Sequence, residues 1–246
     1  AIVLAISWLA LRSRPEDLGL LPIEQYHGEP ESLLTGEDKQ HIAAEHSWTL
    51  IREVLASPPI WMLSIAYFLI KMVRYTFYFW GPKYVEECLG RGAYESTLIA
   101  AAMPLGGLIG VIASGYISDM QFQSRRAPVI VLSLILTSAV MTLGLIPIHN
   151  SWLMAGFFFL IGVFLYGPDS MISAPAAMDF GTKRGAGTAI GCINGLGSVG
   201  AILSGWLPGA MTTESNWTPL FVVFFVGLAL AAAVVAPLWR IRPPEA

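Results

Sequence analysis

A run of membrane length from Pro59 to Trp80 contains two positive charges, Lys71 and Arg74. As a helix rising about 1.5 Å per residue, this run reaches about 33 Å, which is enough to cross the hydrocarbon core of a bilayer. A cation near the middle of such a span costs about 2.5 to 3.5 kcal/mol on insertion scales. The chain must therefore fold so that this charged helix face finds a partner or a function.

Tyr67, Lys71, Arg74 and Tyr78 follow one another at intervals of four, three and four residues. Helical periodicity places residues at these intervals on one face. Two cations and two phenols on a shared face favour an anion bound in a cavity. The alternative is structural, because Arg74 could extend toward the membrane surface and Lys71 could form an ion pair with another helix.

Five further apolar runs have the length of membrane spans. With 55% hydrophobic and 13% charged residues, the composition is typical of a multi-pass membrane protein. We predict an all-α protein whose spans lie near residues 59–80, 96–117, 128–148, 152–175, 186–208 and 218–239. The predicted domains are the end of a cut helix at 1–11, a polar linker at 12–57 and a six-helix bundle at 58–242.

The first residues are apolar and include no initiator Met, so we expect a fragment of a longer chain. The linker is rich in Glu, Asp, Pro and Gly, which predicts a solvated segment. We expect one short helix in it, from about Ser47 to Ala56, with Ser47 as its N-cap.

The basic residues outside the charged span predict the orientation in the membrane. If the linker is cytoplasmic, ten Lys and Arg residues lie on the cytoplasmic side and two lie outside. The ten are Arg12, Arg14, Lys39, Arg52, Arg125, Arg126, Lys183, Arg184, Arg240 and Arg242, and the two are Lys83 and Arg91. We therefore predict a cytoplasmic linker and C-terminus. Because the basic residues are scattered rather than clustered, nucleic-acid binding is excluded.

Between the second and third spans, the sequence from Gly115 to Asp119 reads Gly-Tyr-Ile-Ser-Asp and is followed by Arg125 and Arg126. A small residue lets helices approach closely, and a carboxylate facing arginines could latch two helices in one conformation. An ordinary charged turn is the alternative. The pattern resembles the loop motif of the major facilitator superfamily.

Other segments resemble one group of that superfamily, the organophosphate:phosphate antiporters, which contains glycerol-3-phosphate and hexose-phosphate transporters. These segments are Arg14–Pro22, Val73–Tyr75 with Pro82–Tyr84, Phe164–Pro168 and Lys183–Ala189. The resemblance covers nearly the whole chain and implies helices seven to twelve, with the end of helix six, of a twelve-helix transporter. It implies exchange of a sugar phosphate or glycerol phosphate for inorganic phosphate by alternating access, with no cofactor or metal. The implied partners are the missing N-terminal six-helix half and the bilayer, here a bacterial inner membrane.

By this resemblance Arg74 binds the substrate phosphate, together with an arginine on helix one, and Tyr166 lies near the substrate. A guanidinium fork suits phosphate oxygens because it binds them bidentately. For Tyr166, the alternative is a hydroxyl packed against a neighbouring helix. Asn194 is an amide in the middle of a span, which either bonds another helix or lines the transport path.

Lys71 and Asp169 depart from the glycerol-phosphate pattern. A buried Lys and a buried Asp on different helices are natural partners, because each offsets the desolvation of the other. We expect them to pair when the site is empty, with Lys71 then free to move to substrate and Asp169 to a sugar hydroxyl. A permanent structural bridge is the alternative.

Glycine and proline inside the spans predict bends and close packing. Gly167 and Pro168 predict a break in the fourth span beside a cavity. Pro104, with the glycines that follow it, predicts a kink with close packing in the second span. The fifth span has a row of glycines at spacing four, which predicts close helix crossing. The row is Gly187, Gly191 and Gly195, with Gly197, Gly200 and Gly205 beyond it.

Two other functions stay open. Transporter-like receptors of this family bind hexose phosphate and signal to a membrane kinase, and they would use the same site. A proton-coupled carboxylate or drug transporter of this fold would use Asp169 as proton carrier. The sequence contains no phosphate-cradling Gly-x-x-x-x-Gly-Lys loop, metal-ligand spacing or nucleophile triad, so it gives no support to an ATP-driven pump or an enzyme.

Overall fold

The structure is a computed structural model that describes residues 48–49, 51–180, 185–212 and 216–241. Residues 1–11, most of the linker and its predicted N-cap Ser47 lie outside the described residues, and the expectations for them stay predictions. In the described part of the linker, residues 51–56 are helical, as predicted, and Val54 is buried.

Six helices among the described residues are long and apolar enough to cross a membrane, which confirms the six predicted spans. The first span is α1 (Pro58–Leu89), the second is α2 (Ala93–Ala100) with α3 (Ala102–Phe122), and the third is α4 (Arg126–Met141) with a 3₁₀ turn at Thr142–Leu145. The fourth is α5 (Ser151–Ser173) with α6 (Pro175–Phe180), the fifth is α7 (Ala186–Met211), and the sixth is α8 (Thr218–Val235) with a 3₁₀ turn at Ala236–Arg240.

α1 continues past its predicted end at Trp80 as far as Leu89, although Pro82 lies inside it. A proline inside a helix removes one backbone hydrogen bond. The extension buries Tyr84, whose ring centroid lies 5.3 Å from that of Trp217. Burial of an aromatic ring contributes more than one backbone hydrogen bond, so the helix continues through the proline.

The breaks inside the second and fourth spans lie at Ala101 and Ala174. α5 runs through Gly167 and Pro168 without interruption, so the predicted break there is wrong. Gly167 instead permits close packing, because a Cβ at that position would meet the Ser114 side chain of α3. The chain leaves the helical conformation at Ala174, with φ −144° and ψ −58°, directly before the next proline. The residue before a proline is disfavoured in the helical region, which explains this position.

Glycines hold α3 and α5 at backbone contact. A Cβ added at Gly106, Gly110 or Gly162 would collide with a backbone carbonyl of the facing helix. The predicted close packing in the second span is therefore confirmed, and its break precedes Pro104 by three residues, at Ala101.

α1 and α7 also meet at glycines. A Cβ at Gly200 would collide with the backbone carbonyl of Phe68, and one at Gly197 would meet the ring of Tyr67. The row at spacing four makes no such crossing, because no described atom lies within 4 Å of a Cβ built there. α8 contacts both α1 and α4. The bundle thus places α1 next to α5, α7 and α8.

We expect Gly162→Ala to destabilise the full-length protein by about 1 to 3 kcal/mol, because the added methyl overpacks the α3–α5 contact. Gly156→Ala on the same helix is the matched control, since no described atom lies within 4 Å of its built Cβ. The control should be neutral or slightly stabilising, because alanine is the better helix former. Thermal unfolding in detergent measures both variants, and equal midpoints would contradict the packing.

Candidate anion-binding site

The charged face of α1 runs from a buried end to an open end. Tyr67 is 2% exposed and Tyr78 is 62% exposed. Between them, the Lys71 ammonium lies 4.8 Å from the centroid of the Tyr67 ring. The four predicted residues therefore share a face, but only its outer part is accessible.

Arg74 forms an ion pair with Asp169 of α5. The distance from Arg74 Nη1 to Asp169 Oδ2 is 2.5 Å, and the two side chains are 28% and 10% exposed. The Arg74 guanidinium carbon also lies 4.3 Å from the centroid of the Tyr166 ring. Tyr166 and Asp169 are three residues apart on a helix and so face the same side. The structure thus brings together three predicted site residues from two helices.

The expected pairing of Lys71 with Asp169 is not what the structure shows, because Asp169 binds Arg74 instead. The guanidinium offers a planar set of N–H donors to a carboxylate and is more weakly hydrated than an ammonium, which favours it as the partner of a buried Asp. The second carboxylate oxygen, Asp169 Oδ1, is buried and has no hydrogen-bond partner in the described part of the chain. It remains available as an acceptor.

Arg74 also faces a cavity of about 270 Å³ that is lined by Arg74, Tyr75 and Tyr78. Tyr75 was missed by the periodicity argument, because it lies next to Arg74 in sequence and so about 100° from the stripe on a helical wheel. Its ring centroid lies 5.7 Å from the Arg74 guanidinium carbon. A guanidinium with phenol rings beside a cavity can bind an oxyanion by charge and hydrogen bonds.

Asn194 forms a hydrogen bond to a second helix. Its side-chain nitrogen donates to the backbone carbonyls of Ser173 at 2.9 Å and Ile190 at 3.0 Å. The amide therefore ties α7 to the end of α5, which is the helix-bonding alternative.

A larger cavity, of about 640 Å³, is lined by residues that lie between Leu143 and Leu160 in the sequence. Its lining includes Trp152 but no predicted site residue. Among the described residues there is no group of three His, Cys, Asp or Glu residues that could hold a metal.

A family model described as Major Facilitator Superfamily matches residues 1–127 and 121–246. The chain belongs to the major facilitator superfamily. This confirms the resemblance and, with the six apolar helices, makes the chain part of a multi-pass integral membrane protein.

Curated relatives of this superfamily member are named as a membrane sensor protein, a probable hexose phosphate transport protein and a glycerol-3-phosphate transporter. The chain is 29% identical to "Membrane sensor protein UhpC" of Salmonella typhimurium, over 96% of this chain and 53% of that protein. It is 32% identical to a "Probable hexose phosphate transport protein" of Chlamydia pneumoniae, over 94% and 52%. It is 30% identical to the "Glycerol-3-phosphate transporter" of Bacillus subtilis, over 94% and 52%. The chain spans about half the length of these relatives.

In the superfamily loop motif, the contacts of Asp119 and Arg125 differ from the expected pairing of a carboxylate with arginines. Asp119 does not pair with the arginines, because its carboxylate accepts a hydrogen bond from the Ser124 hydroxyl at 3.1 Å. Arg125 donates from its Nε to the backbone carbonyl of Phe122 at 3.1 Å. No described atom lies within 4 Å of a Cβ built on Gly115, so its predicted role in close helix approach gains no support.

The turn geometry explains why Asp119 pairs locally. Gln123 and Ser124 have φ of 53° and 59°, a left-handed conformation that is uncommon for residues other than glycine. This turn brings Ser124 back to Asp119, and α4 then begins at Arg126.

Arg126 latches onto a different carboxylate, Asp179 in α6. The distance from Arg126 Nε to Asp179 Oδ2 is 2.8 Å, and both side chains are largely buried. Sequence reasoning missed Asp179, although an isolated acidic residue at the end of an apolar span is a recognisable signal. The latch therefore joins the third and fourth spans.

We predict that Arg126→Gln and Asp179→Asn are energetically coupled in the full-length protein by about 0.5 to 3 kcal/mol, because each variant leaves the other partner unpaired. Arg126→Gln and Asp119→Asn should be additive. Thermal unfolding of the single and double variants measures both couplings. Strong coupling of Arg126 to Asp119, with none to Asp179, would contradict the geometry.

Proposed function

We propose that this chain is the C-terminal six-helix half of a twelve-helix secondary active transporter that exchanges an organic phosphate for inorganic phosphate. In this proposal residues 1–11 end helix six, 12–57 are the cytoplasmic central linker, and 58–242 are the second bundle. The chain's coverage of about half of each relative supports this division. The ten-to-two distribution of basic residues supports a cytoplasmic linker and C-terminus, in a bacterial inner membrane.

The observation that carries the proposal is Arg74, a guanidinium in the middle of a membrane span beside a cavity. An ionisable residue inside a membrane span is by default a candidate functional residue, and a cation there can bind an anion. Two of these relatives are named for hexose phosphate and glycerol 3-phosphate, and a phosphate group is the part that these ligands share. Arg74 is therefore proposed as the phosphate ligand of this half.

The neighbouring residues are proposed to complete the site. Tyr166 positions the Arg74 guanidinium through its ring face. Tyr78 and Tyr75 present their phenol groups at the cavity. Tyr67 and Asn194 are proposed to hold the helices of the site in place, since Tyr67 is buried and Asn194 forms a hydrogen bond between two helices.

The proposed mechanism is alternating access, in which two six-helix bundles rock about the site. The transported phosphate neutralises the site cations and allows the loaded site to reorient. The Arg126–Asp179 pair, with the turn from Gly115 through Asp119 to Arg125, is proposed as the gate at the cytoplasmic end. The cycle requires no covalent chemistry, and we propose no enzymatic activity.

A sensor is the second candidate, because one relative is named as a membrane sensor protein. A sensor would bind a sugar phosphate at the same residues without exchanging it. Binding and exchange must therefore be measured separately.

The proposal is tested by inorganic phosphate exchange in proteoliposomes that contain the full-length protein. We expect exchange by the wild type and a roughly 10- to 100-fold loss in Arg74→Lys, because an ammonium cannot replace the bidentate charged hydrogen bonds. Arg91→Lys is the matched control, since Arg91 is exposed and pairs only with Glu95 of the next helix among the described residues. Competition by glucose 6-phosphate and glycerol 3-phosphate identifies the preferred ester.

Three results separate the candidates. Binding of glucose 6-phosphate without exchange would replace the transporter proposal by the sensor. Exchange that Arg74→Lys leaves intact would contradict the assignment of Arg74. Uptake that follows a proton gradient and is uncoupled by Asp169→Asn would replace phosphate exchange by proton-coupled transport.

A further inference from the structure

Asp169 is paired with the Arg74 guanidinium, which is the group that the proposed substrate phosphate would bind. Its carboxylate binds the Arg74 guanidinium, and a carboxylate and a phosphate compete for the same N–H donors. Asp169 uses Nη1 of the guanidinium, so a phosphate that binds both terminal nitrogens of Arg74 must displace the carboxylate or share that nitrogen with it. A displaced carboxylate next to a bound phosphate would repel it, so Asp169 needs another cation.

Lys71 is the cation available to pair with the displaced Asp169 carboxylate. It lies on the same face of α1, one turn before Arg74. Among the described residues Lys71 forms no ion pair, and its ammonium rests over the Tyr67 ring. Its stem lies beside Gly197, where a Cβ would stand 3.2 Å from Lys71 Cδ, so the glycine leaves room for the side chain.

The acceptor geometry fits a transfer between the two cations. Asp169 uses Oδ2 for Arg74, while Oδ1 is buried without a hydrogen-bond partner in the described chain. A second donor can therefore engage Oδ1 before Oδ2 leaves Arg74. The charges of Lys71, Arg74 and Asp169 sum to one positive charge, and they keep that sum whichever cation holds the carboxylate.

We propose that Asp169 is a built-in competitor for the phosphate group, which passes from Arg74 to Lys71 when substrate binds. This inference rests on the proposed function. Asp169 then determines specificity, because a ligand must outcompete a tethered carboxylate for Arg74, which a phosphate does and a monocarboxylate does not. The same competition weakens substrate binding and so favours release on the other side of the membrane.

The test is a double-mutant cycle on the full-length protein, with the Kd for inorganic phosphate measured by calorimetry. Asp169→Asn removes the competitor and should tighten phosphate binding roughly tenfold. Lys71→Met removes the receiving cation and should weaken binding roughly tenfold in the wild-type background. In the Asp169→Asn background, Lys71→Met should change the Kd by less than about threefold, because no carboxylate remains to be received.

Three results would overturn the proposal. If Asp169→Asn leaves phosphate binding unchanged or weakens it, the ion pair is a permanent bridge. If Lys71→Met weakens binding equally in both backgrounds, Lys71 contacts phosphate directly and receives no carboxylate. If the wild type binds neither inorganic phosphate nor glucose 6-phosphate, the proposed function fails as well, whereas the first two results leave it intact.

A second measurement covers the case in which Asp169→Asn does not fold. Lys71→Met keeps the Arg74–Asp169 pair, so it retains the contact that holds α1 to α5. Phosphate-induced infrared difference spectra of the wild type should show a shifted carboxylate stretch that Lys71→Met lacks. Identical carboxylate bands in the two proteins would overturn the transfer.

Discussion

The ion pair between Arg74 and Asp169 is the interaction on which the described bundle depends most. An arginine within a membrane span and an aspartate on a second span are each costly alone, and together they require α1 and α5 to be neighbours. The glycine contacts fix the helices around this pair, since Gly162 sets α5 against α3 and Gly200 sets α7 against α1. This partly buried charge pair thus joins two helices of the bundle.

That pair also connects stability to the proposed transport. The ion pair makes an intramembrane guanidinium tolerable, and in the proposed transport the substrate has to replace it. A phosphate group would offer Arg74 more charge than a carboxylate does, so the proposed binding replaces one ion pair of Arg74 by a stronger one. The second ion pair, Arg126 with Asp179, joins the third and fourth spans near their ends.

The sequence predicted the spans well because hydropathy over membrane length is a strong local signal, and helical spacing placed Tyr67, Lys71, Arg74 and Tyr78 on one face. The partner of Asp169 could not be predicted, because the choice between Lys71 and Arg74 depends on how α1 packs against α5. The helix breaks were misplaced for a similar reason. Gly167 and Pro168 suggest a break locally. In the structure, α5 instead packs closely against α3 at Gly167, where there is no side chain to keep the helices apart.

A structure of the full-length protein with a phosphate ester bound would test the central claim most directly. The account predicts that nitrogen atoms of Arg74 lie about 3 Å from phosphate oxygens, as charged hydrogen bonds require, with Asp169 moved off Arg74 and onto Lys71. A phosphate bound elsewhere, with Arg74 and Asp169 still paired, would contradict it.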